Sequence, residues 1–410
     1  MQTYLVGGAV RDRLLGLPVA ERDWVVVGGS ADELEALGYR RVGRSFPVFL
    51  HPETKEEYAM ARTETKTGPG YRGFEVRADE HVTLEEDLGR RDLTINAIAA
   101  DETGKLTDPY GGQQDIEARV LRHVTGAFRE DPVRILRVAR FAARFADRGF
   151  TVAPDTLELM RAMVAAGEAD ALIPERVWRE TERALLEARP DVFLTVLREA
   201  GALAVIYPEL DALFGVPQPE RWHPEIDTGI HVLMCLQIAA QSGASGPARF
   251  AVMTHDLGKG TTPASMLPRH VGHEERGVTL IESLCERIGV PNRYRDLAVL
   301  VARYHGVCHR AAELKPKTIL KVLEAVDAFR RPETLADFLT ACEADARGRA
   351  GLEERPYPQA ELLRAARDAA ADVNAAALRK EGLEGPALGE AIRQERCAAI
   401  ARVTADTPDD

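Results

Sequence analysis

The sequence has few of the features that mark secreted or membrane proteins. Its five cysteines are scattered over the second half of the chain and none forms a C-x-x-C pair, which predicts free thiols in a reduced compartment. No segment reaches the uninterrupted apolar length of a membrane span, and the N-terminus lacks the basic stretch and apolar run of a signal peptide. We therefore expect a cytoplasmic protein without a membrane partner.

Positive charge is scarce as well. The chain has 53 lysines and arginines against 65 aspartates and glutamates, which gives a formal net charge of −12. This balance argues against a protein that coats nucleic acid through bulk positive charge, but it permits a local basic groove. The deciding question is whether the arginines cluster.

The chain lacks an internal repeat of fixed period, but its character changes near residue 116. Before that point, strand-like runs such as YLVGG and DWVVVG alternate with helical stretches, whereas helical periodicity continues from there to the end. The length of 410 residues allows two to four domains. We predict an α+β protein, with a small sheet-bearing domain at the N-terminus followed by helical regions.

The segment at residues 4 to 27, YLVGGAVRDRLLGLPVAERDWVVV, carries the most chemistry. Its Gly-Gly turn lets a backbone approach a bulky anion, and Glu21 and Asp23 are spaced so that a strand would point both carboxylates to one side. Phosphates beside paired carboxylates require a cation, so the segment predicts a Mg²⁺-nucleotide site and nucleotidyl transfer. Taken alone, each part is usually a turn or a solvated strand end; their combination favours the site.

Arginines cluster in the segment at residues 130 to 148, EDPVRILRVARFAARFADR. Glu130, Asp131 and Pro132 are typical of a helix start, and arginines follow at spacings of three or four residues. Their positions on one helix side are Arg134, Arg137, Arg140, Arg144 and Arg148. A solvated helix face is the ordinary alternative. Five like charges repel, however, so a triphosphate or an RNA backbone nearby is the favoured interpretation.

A second Arg-Asp motif lies in EEDLGRRDLTINAIAA, residues 85 to 100. Arg91 could hold a phosphate, and Asp92 could accept a hydrogen bond from a ribose hydroxyl. The alternative is a surface turn with an internal ion pair of little energetic value.

Histidines concentrate in the middle of the chain, where seven of the ten lie between residues 223 and 309. His231 sits in a helix-like run, and the adjacent pair His255 and Asp256 ends an apolar stretch; Asp345 appears later. Histidine and aspartate supply nitrogen and oxygen ligands for a divalent transition metal, so we predict a second, hydrolytic metal site. A lone histidine on an apolar face is more often a core residue.

With these motifs together, the chain resembles the bacterial tRNA nucleotidyltransferases, the CCA-adding enzymes, in their form with a C-terminal HD phosphohydrolase domain. LVGGAVRD with E-R-D, RRDLTINA and EDPVRILRVARFAAR are similar to three signature segments in order, and GIH and THDLGKG are similar to the HD pattern. The resemblance implies a polymerase-β-like nucleotidyltransferase head at 1–115, a helical neck and body at 116–222, an HD domain at 223–330 and a helical tail at 331–410. It also implies tRNA, CTP and ATP as partners; the chain would be a monomer or a homodimer.

The resemblance implies a role for each motif of the head. Glu21 and Asp23 would hold the catalytic Mg²⁺, and Asp92 would check for a ribose hydroxyl. Asp131 and Arg134 would present the edge that pairs with cytosine or adenine in place of a template. The whole set implied to bind the nucleotide is Gly8, Arg11, Arg91, Asp92, Asp131, Arg134, Arg137 and Arg140.

The HD pattern implies hydrolysis of phosphomonoesters, 2′,3′-cyclic phosphates or 2′-nucleotides. His231, His255 and Asp256 would be its metal ligands, with Asp345 as a weaker candidate. Ni²⁺ or Mn²⁺ suits this ligand set better than Mg²⁺.

One departure from the family pattern concerns the first metal carboxylate, which is usually aspartate and here is Glu21. Its side chain is one methylene longer, so we expect retained activity with a shifted metal position or a changed Mg²⁺/Mn²⁺ preference.

The Gly- and Pro-containing loop at residues 66 to 74 is expected to be mobile and to help the switch from C to A addition.

Three alternatives remain at this level. A poly(A) polymerase shares the head motifs, and a CC-only or A-only adding enzyme differs from a CCA-adding enzyme by small loop changes. From another class, the protein could be an HD phosphohydrolase whose head only binds a nucleotide or RNA.

Overall fold

The computed structural model describes residues 1–42, 48–66, 74–380 and 383–405. They form two compact units, one of Met1–Ala184 with Val192–Ile206 and one of Leu185–Asp191 with Tyr207–Asp410. Every strand in these ranges belongs to the first unit, and regular structure in the second is helical, so the predicted α+β class is confirmed. None of the helices in the described ranges combines the length and apolar character needed to span a bilayer.

The strands of the first unit are short. In chain order they are β1 Gln2–Val6, β2 Asp23–Val27, β3 Arg40–Arg41, β4 Val48–Leu50, β5 Glu57–Met60, β6 Thr63–Lys66, β7 Phe74–Arg77, β8 Ala99–Ala100, β9 Leu106–Thr107, β10 Val120–Leu121 and β11 Thr151–Val152. Seven of them form one mixed sheet in the order β3-β4-β5-β2-β1-β8-β9, in which β2 is antiparallel to β1 and parallel to β5.

Successive residues of β2 point to opposite faces of this sheet, and both faces are covered. Val25 packs with Val6 in one apolar cluster, while Val26 packs with Leu34 and Phe49 in another. The central strand is therefore buried on both sides, which fixes its register and the position of the residue at its start.

The helices that lie wholly or mostly in the first unit are α1 Gly8–Leu14, α2 Ala31–Ala36, α3 Leu84–Gly89, α4 Gly112–Ala118, α5 Val133–Phe145, α6 Pro154–Ala165, α7 Pro174–Leu185, α8 Pro190–Glu199 and α9 Ala202–Ile206. The second unit has α10 Pro208–Asp211, α11 Thr228–Gln241, α12 Gly246–Thr254, α13 His273–Ile288, α14 Asn292–Cys308, α15 Pro316–Ala325, α16 Pro332–Arg347, α17 Pro358–Ala371, α18 Ala375–Lys380 and α19 Gly385–Ala405. Its centre is formed by α11, α12, α14 and α16, which pack on one another.

The division into four domains stays a prediction. The loop expected at residues 66 to 74 falls almost wholly on residues 67–73, which lie outside the described ranges.

Candidate functional sites

The first unit contains a cavity of about 650 Å³ that is lined by arginines and carboxylates. Most of the predicted head residues line it, namely Gly8, Arg11, Asp23, Arg91, Asp92, Asp131, Arg134, Arg137 and Arg140. Glu21 is not among the lining residues. The fold thus brings together three motifs that are up to 130 residues apart in the sequence.

The carboxylate wall of the cavity is built by strand pairing. Asp23 is the first residue of β2, and its partner in the parallel register with β5 is Glu57, which also lines the cavity. Glu21 precedes the strand, so the expected alternation on one strand does not apply to it. Burial at the cavity rim raises the pKa of Asp23; Arg91 opposes this rise, and the nearby Glu21 adds to it.

The turn after β1 brings the backbone close to Arg91. Gly7 has a φ of 70°, which favours glycine, and a Cβ at this position would come within 3.0 Å of Arg91 Nη1. Arg91 Nη2 donates to the Asp87 carboxylate at 3.1 Å, and Asp87 is fully buried. Burial alone would raise the pKa of Asp87, but Arg91 and Arg90 lower it below its ordinary value. The position of Arg91 is therefore fixed by a buried carboxylate.

Arg11 reaches the cavity from α1 and is itself buried. Its Nη1 donates to Asn96 Oδ1 at 2.6 Å, and its Nε donates to Asp12 Oδ1 at 2.9 Å. The guanidinium carbon lies 5.0 Å from the Phe141 ring centroid, a cation–π distance. The first and third motifs are thus joined through this side chain.

Asp92 already has partners for its oxygens. Oδ2 accepts from Arg137 Nε at 2.7 Å, while Oδ1 accepts from Asn96 Nδ2 at 3.0 Å and from the Leu93 amide at 2.8 Å. Burial alone would raise the pKa of Asp92, but Arg137 and Asn96 hold it well below its ordinary value. Asp92 lines the cavity as a fixed carboxylate, and its predicted contact with a ribose stays a prediction.

The arginines of the third motif do not form a solvated face, so that alternative is wrong for most of them. Arg134 and Arg140 are each only 7% exposed. Arg137 pairs with Asp92, Arg140 with Glu180 at 2.7 Å, and Arg144 with Asp12 at 3.1 Å. Arg134 donates to the backbone carbonyls of Ala127 and Arg90.

The fifth arginine does not follow the predicted pattern. Helix α5 ends at Phe145, and Arg148 lies exposed in the short 3-10 turn Ala146–Arg148 that follows. The chain leaves the helix one turn earlier than the spacing predicted, before a left-handed glycine at Gly149.

Sequence reasoning missed the contribution of α7 to this cavity. Arg176 and Arg183 of α7 line the cavity. Arg176 makes a bidentate ion pair with Asp131, in which Nη1 donates to Oδ1 at 3.0 Å and Nη2 donates to Oδ2 at 2.6 Å. Glu180 lies between them in the sequence. The alternation of basic and acidic residues in ERVWRETERAL was the only local signal.

The second unit gathers the predicted histidine motif at the crossing of its central helices. His231 lies in the first turn of α11, His255 directly follows α12, and Asp345 lies near the end of α16. The sequence analysis ranked Asp345 as a weaker candidate, yet its Oδ1 is 3.0 Å from His231 Nε2 and 3.7 Å from His255 Nε2. Asp256 Oδ2 lies 3.2 Å from His255 Nε2.

Two further histidines of the cluster between residues 223 and 309, to which no role was assigned from the sequence, join this centre. His273 Nε2 and His305 Nε2 lie 3.6 and 3.9 Å from Asp256 Oδ1 and 3.4 Å from each other. Both histidines therefore lie near Oδ1 of Asp256, whereas His255 lies near its Oδ2. We call His231, His255, Asp256, His273, His305 and Asp345 the histidine centre.

The four rings of the histidine centre share one orientation. Each Nδ1 lies 2.8 to 3.0 Å from a backbone carbonyl oxygen, those of Gly348, Val252, His270, Val301 and Ala302. A carbonyl only accepts, so each Nδ1 carries a proton and each Nε2 is the atom that can present a lone pair to an ion.

The donor set fits a divalent transition metal. Within the described residues, the buried atoms His255 Nε2 and Asp256 Oδ1 have no hydrogen-bond partner, which is costly unless a ligand completes them. Burial alone would lower the pKa of His255, but Asp256 and Asp345 raise it to about 10. The two carboxylates therefore favour positive charge at His255. Lys259 adds a buried ammonium 2.7 Å from Asp256 Oδ2.

Fold and sites together define a class of protein, a nucleotidyltransferase head joined to an HD domain. The description "Poly A polymerase head domain" matches residues 3–122, "Probable RNA and SrmB- binding site of polymerase A" matches 149–214, and "HD domain" matches 228–331. Two solved structures share the fold. The first is a CCA-adding enzyme in its apo form II, with a TM-score of 0.67, 21% identity and coverage of 100% of this chain and 89% of that one. The second is a Thermotoga maritima CCA-adding enzyme complexed with tRNA, with a TM-score of 0.63, 19% identity and coverage of 100% of this chain and 88% of that one.

The particular family follows from a closer similarity. The chain is 64% identical over 406 residues to the multifunctional CCA protein of Thioalkalivibrio sulfidiphilus, and the match covers 99% of each chain. It belongs to the family of multifunctional CCA proteins, and the resemblance seen in the sequence is confirmed.

Proposed function

We propose that this chain builds and repairs the 3′-terminal CCA of tRNA from CTP and ATP without a nucleic-acid template, and that its HD domain is a separate phosphohydrolase. The observation that carries the first activity is the arginine-lined cavity with Asp23 and Glu57 at one wall. The full-length similarity to a multifunctional CCA protein supports both activities. The HD domain at 228–331 favours this function over a poly(A) polymerase.

In the head, carboxylates would bind the metal ion and arginines would bind the triphosphate. Asp23, Glu57 and the preceding Glu21 would hold Mg²⁺, which prefers carboxylate oxygens. When bound, Mg²⁺ supplies neutralisation of the charge that develops on the phosphates. Arg11 and Arg91, both fixed by carboxylates, would hold the triphosphate, and Gly8 leaves space for it.

The reaction itself is an in-line displacement. The 3′-hydroxyl oxygen of the tRNA attacks the α-phosphorus of the nucleotide; the new P–O bond forms as the bond to pyrophosphate breaks, and the hydroxyl proton leaves to a carboxylate of the wall or to water. The protein contributes positioning and fixed charge more than covalent chemistry. Two CMP units and one AMP are added in turn.

The nucleotide base would be selected by side chains whose positions are fixed by hydrogen bonds and ion pairs. Asp131 is clamped by Arg176, and both guanidinium ends of Arg134 donate to backbone carbonyls. Arg137 and Arg140 follow on the next turns of α5 and are anchored on Asp92 and Glu180. Such preorganised groups suit discrimination of a base edge. The tRNA would be held by acceptor-arm shape and backbone, with the loop at 66–74 helping the switch from C to A.

Nucleotide incorporation tests the head activity. We expect tRNA lacking its last three nucleotides to gain two residues with CTP alone and three with CTP and ATP together, and tRNA ending in CC to gain one with ATP alone. Long adenosine tails would support a poly(A) polymerase, and extension by CTP only would support a CC-adding enzyme.

The histidine centre would hold the metal of the HD phosphohydrolase. His231, His255, Asp256 and Asp345 form one ligand set, and Asp256 Oδ1 with His273 and His305 forms a second. Ni²⁺ or Mn²⁺ suits imidazole with carboxylate, and a bound ion supplies acidity to a water molecule that attacks a phosphoester. The expected substrates are phosphomonoesters, 2′-nucleotides and 2′,3′-cyclic phosphates.

Metal counting tests this centre. We expect the purified chain to bind Ni²⁺, with His255→Ala abolishing the binding and His273→Ala removing only part of it. Retention of full metal content by His255→Ala would contradict the assignment.

The five unpaired cysteines are in keeping with the cytoplasm as the expected compartment, and a monomer or homodimer stays a prediction.

A further inference from the structure

A buried carboxylate contacts His231 on the side away from the histidine centre. His231 Nδ1 lies 3.0 Å from Glu225 Oε1, while its Nε2 faces Asp345 Oδ1 at 3.0 Å. The Glu225 side chain is only 2% exposed. We propose that Glu225 is a positioning residue of the metal centre, which fixes the ring and tautomer of His231 so that Nε2 is offered to the ion. This inference rests on the proposed metal site.

The tautomer follows from the second neighbour of Nδ1. The carbonyl oxygen of Gly348 also lies 3.0 Å from this nitrogen, and a carbonyl can only accept. The proton on Nδ1 is therefore shared between Gly348 O and Glu225 Oε1. Gly348 can come this close because it has no side chain; a Cβ there would overlap Cys235.

The two acceptors differ in charge. Gly348 offers a neutral oxygen, whereas Glu225 offers a carboxylate, and a hydrogen bond to a charged acceptor is about twice as strong as a neutral one. A carboxylate behind a ligating imidazole makes the ring a better donor to a metal. Glu225 thus adds something that the backbone carbonyl cannot supply.

A second histidine prevents Glu225 from turning away. His223 Nδ1 lies 2.9 Å from the same Oε1, and the His223 and His231 rings meet edge to face with centroids 4.7 Å apart. One carboxylate oxygen therefore accepts from two imidazoles. Rotation of the carboxylate would break both contacts at once.

The loop that carries Glu225 is tied to the start of α11. Ile226 has a φ of 61°, a conformation that is unfavourable for a β-branched residue, and its carbonyl accepts from the Gln218 amide at 2.7 Å. Asp227 caps α11 by accepting from the Ile230 amide at 3.0 Å. These contacts fix both ends of the short segment that leads from Glu225 into α11.

A competing interpretation makes His223, Glu225 and His231 an ion site of their own, since their ligand atoms lie close together. The contact with Gly348 opposes it, because a protonated Nδ1 cannot coordinate an ion. The two interpretations predict different metal counts.

The experiment uses the full chain, with Ni²⁺ alone as the probe of binding and Zn²⁺ as the diamagnetic probe for NMR. We expect Glu225→Ala to weaken Ni²⁺ binding about 10- to 100-fold without changing the number of ions bound. In ¹⁵N-histidine spectra of the Zn²⁺-loaded chain, the Nδ1–H signal that His231 shows in the wild type should broaden or shift in Glu225→Ala. Glu225→Gln keeps an acceptor oxygen but loses the charge, so its Ni²⁺ affinity should lie between that of Glu225→Ala and that of the wild type; Glu395→Ala, an exposed change on α19, serves as the control.

Each other outcome overturns part of the inference. Wild-type affinity in Glu225→Ala would make Gly348 sufficient and Glu225 merely structural. Loss of one ion with unchanged affinity of the rest would establish the competing ion site. If Glu225→Ala does not fold by circular dichroism, Glu225→Gln decides, and its failure to differ from wild type in both affinity and spectrum would overturn the proposal. Absence of Ni²⁺ binding by the wild type would instead remove the metal site itself.

Discussion

The arginine-lined cavity and the histidine centre each concentrate one kind of charged side chain, but they balance that charge differently. In the cavity, Arg137, Arg140 and Arg144 each lie against a carboxylate of the same unit. In the histidine centre, His255 Nε2 and Asp256 Oδ1 are buried without hydrogen-bond partners in the described ranges. The comparison teaches that most cavity arginines are already paired within the protein, whereas ligand atoms of the histidine centre itself still lack a partner.

The largest expected effect separates the two activities. Asp23→Asn should lower CMP incorporation at least about a hundredfold, since even outer partners of a metal cost about 10- to 100-fold, and it should leave hydrolysis of a 2′,3′-cyclic nucleotide unchanged. His255→Ala should do the reverse. Incorporation and phosphate-release assays on the same preparations measure both.

The exposed Asp32→Asn is the matched control for the head and should change neither activity. Loss of both activities in Asp23→Asn, with a normal circular dichroism spectrum, would mean that the two sites are coupled and that the comparison fails.

The second effect concerns the balance of charge inside the cavity wall. Arg140→Met leaves Glu180, whose side chain is 1% exposed, without its closest cation. Removal of one partner of a buried pair costs about 3 to 5 kcal/mol, so the urea midpoint of the first unit should fall clearly. Arg148→Met, on the exposed turn after the same helix, should stay within about 0.5 kcal/mol. Equal effects of the two changes would show that α5 does not depend on internal ion pairs.

Sequence reasoning succeeded where the signal was local. Glu130, Asp131 and Pro132 predicted the start of α5, which begins at Val133, and the His255–Asp256 pair lies, as predicted, at the end of an apolar helix, α12. The periodicity could not tell a solvated arginine face from an internal network. That outcome depends on Glu180 and Asp12, which reach α5 from other parts of the chain.

The residues that were missed come from pairings distant in sequence. Glu57 meets Asp23 only because β5 pairs in parallel with β2, and a parallel pairing leaves no mark in either strand's own sequence. Glu225 meets His231 through a loop whose residue Ile226 is in a left-handed conformation, which sequence patterns do not predict for isoleucine. His273 and His305 were visible as histidines, but their shared carboxylate was not.

The third effect is a pH dependence that belongs to the cavity. The pKa of Asp92 is held well below its ordinary value of 3.8. Its contribution to the free energy of unfolding is therefore fully present well above that value, begins to be lost as the pH falls through it, and is lost completely only below the lowered pKa of the folded state. The difference between the wild type and Asp92→Asn, of the order of 2 kcal/mol near neutral pH, should shrink steadily from pH 5 to pH 3.

Urea titrations of both proteins across this range measure the effect, with Asp32→Asn as an exposed control that should show no such trend. A difference that stays constant down to pH 3 would mean that Arg137 does not stabilise the ionised form of Asp92.

The smallest effect compares two helix caps, one in each unit. Ser30 caps α2 at the surface: its Oγ accepts from the Glu33 amide at 3.2 Å. Ser245 caps α12, accepts from the Ala248 amide at 3.2 Å and also donates to Asp337 Oδ1 at 2.8 Å. Alanine at a cap costs about 0.5 to 2 kcal/mol. Ser30→Ala should fall at the low end of this range and Ser245→Ala at the high end, because the half-buried carboxylate of Asp337 then loses a donor.

Thermal unfolding of the two alanine variants, with Ser30→Thr and Ser245→Thr to restore the oxygen, measures this difference. Ni²⁺ binding should be unchanged in Ser245→Ala, since His255 lies at the opposite end of α12 from the cap. An equal or larger cost at Ser30 would mean that this partly buried cap of the second unit is no more demanding than a cap at the surface. The contrast between a charge-balanced head and a second unit that depends on buried polar partners would then hold only at the metal ligands themselves.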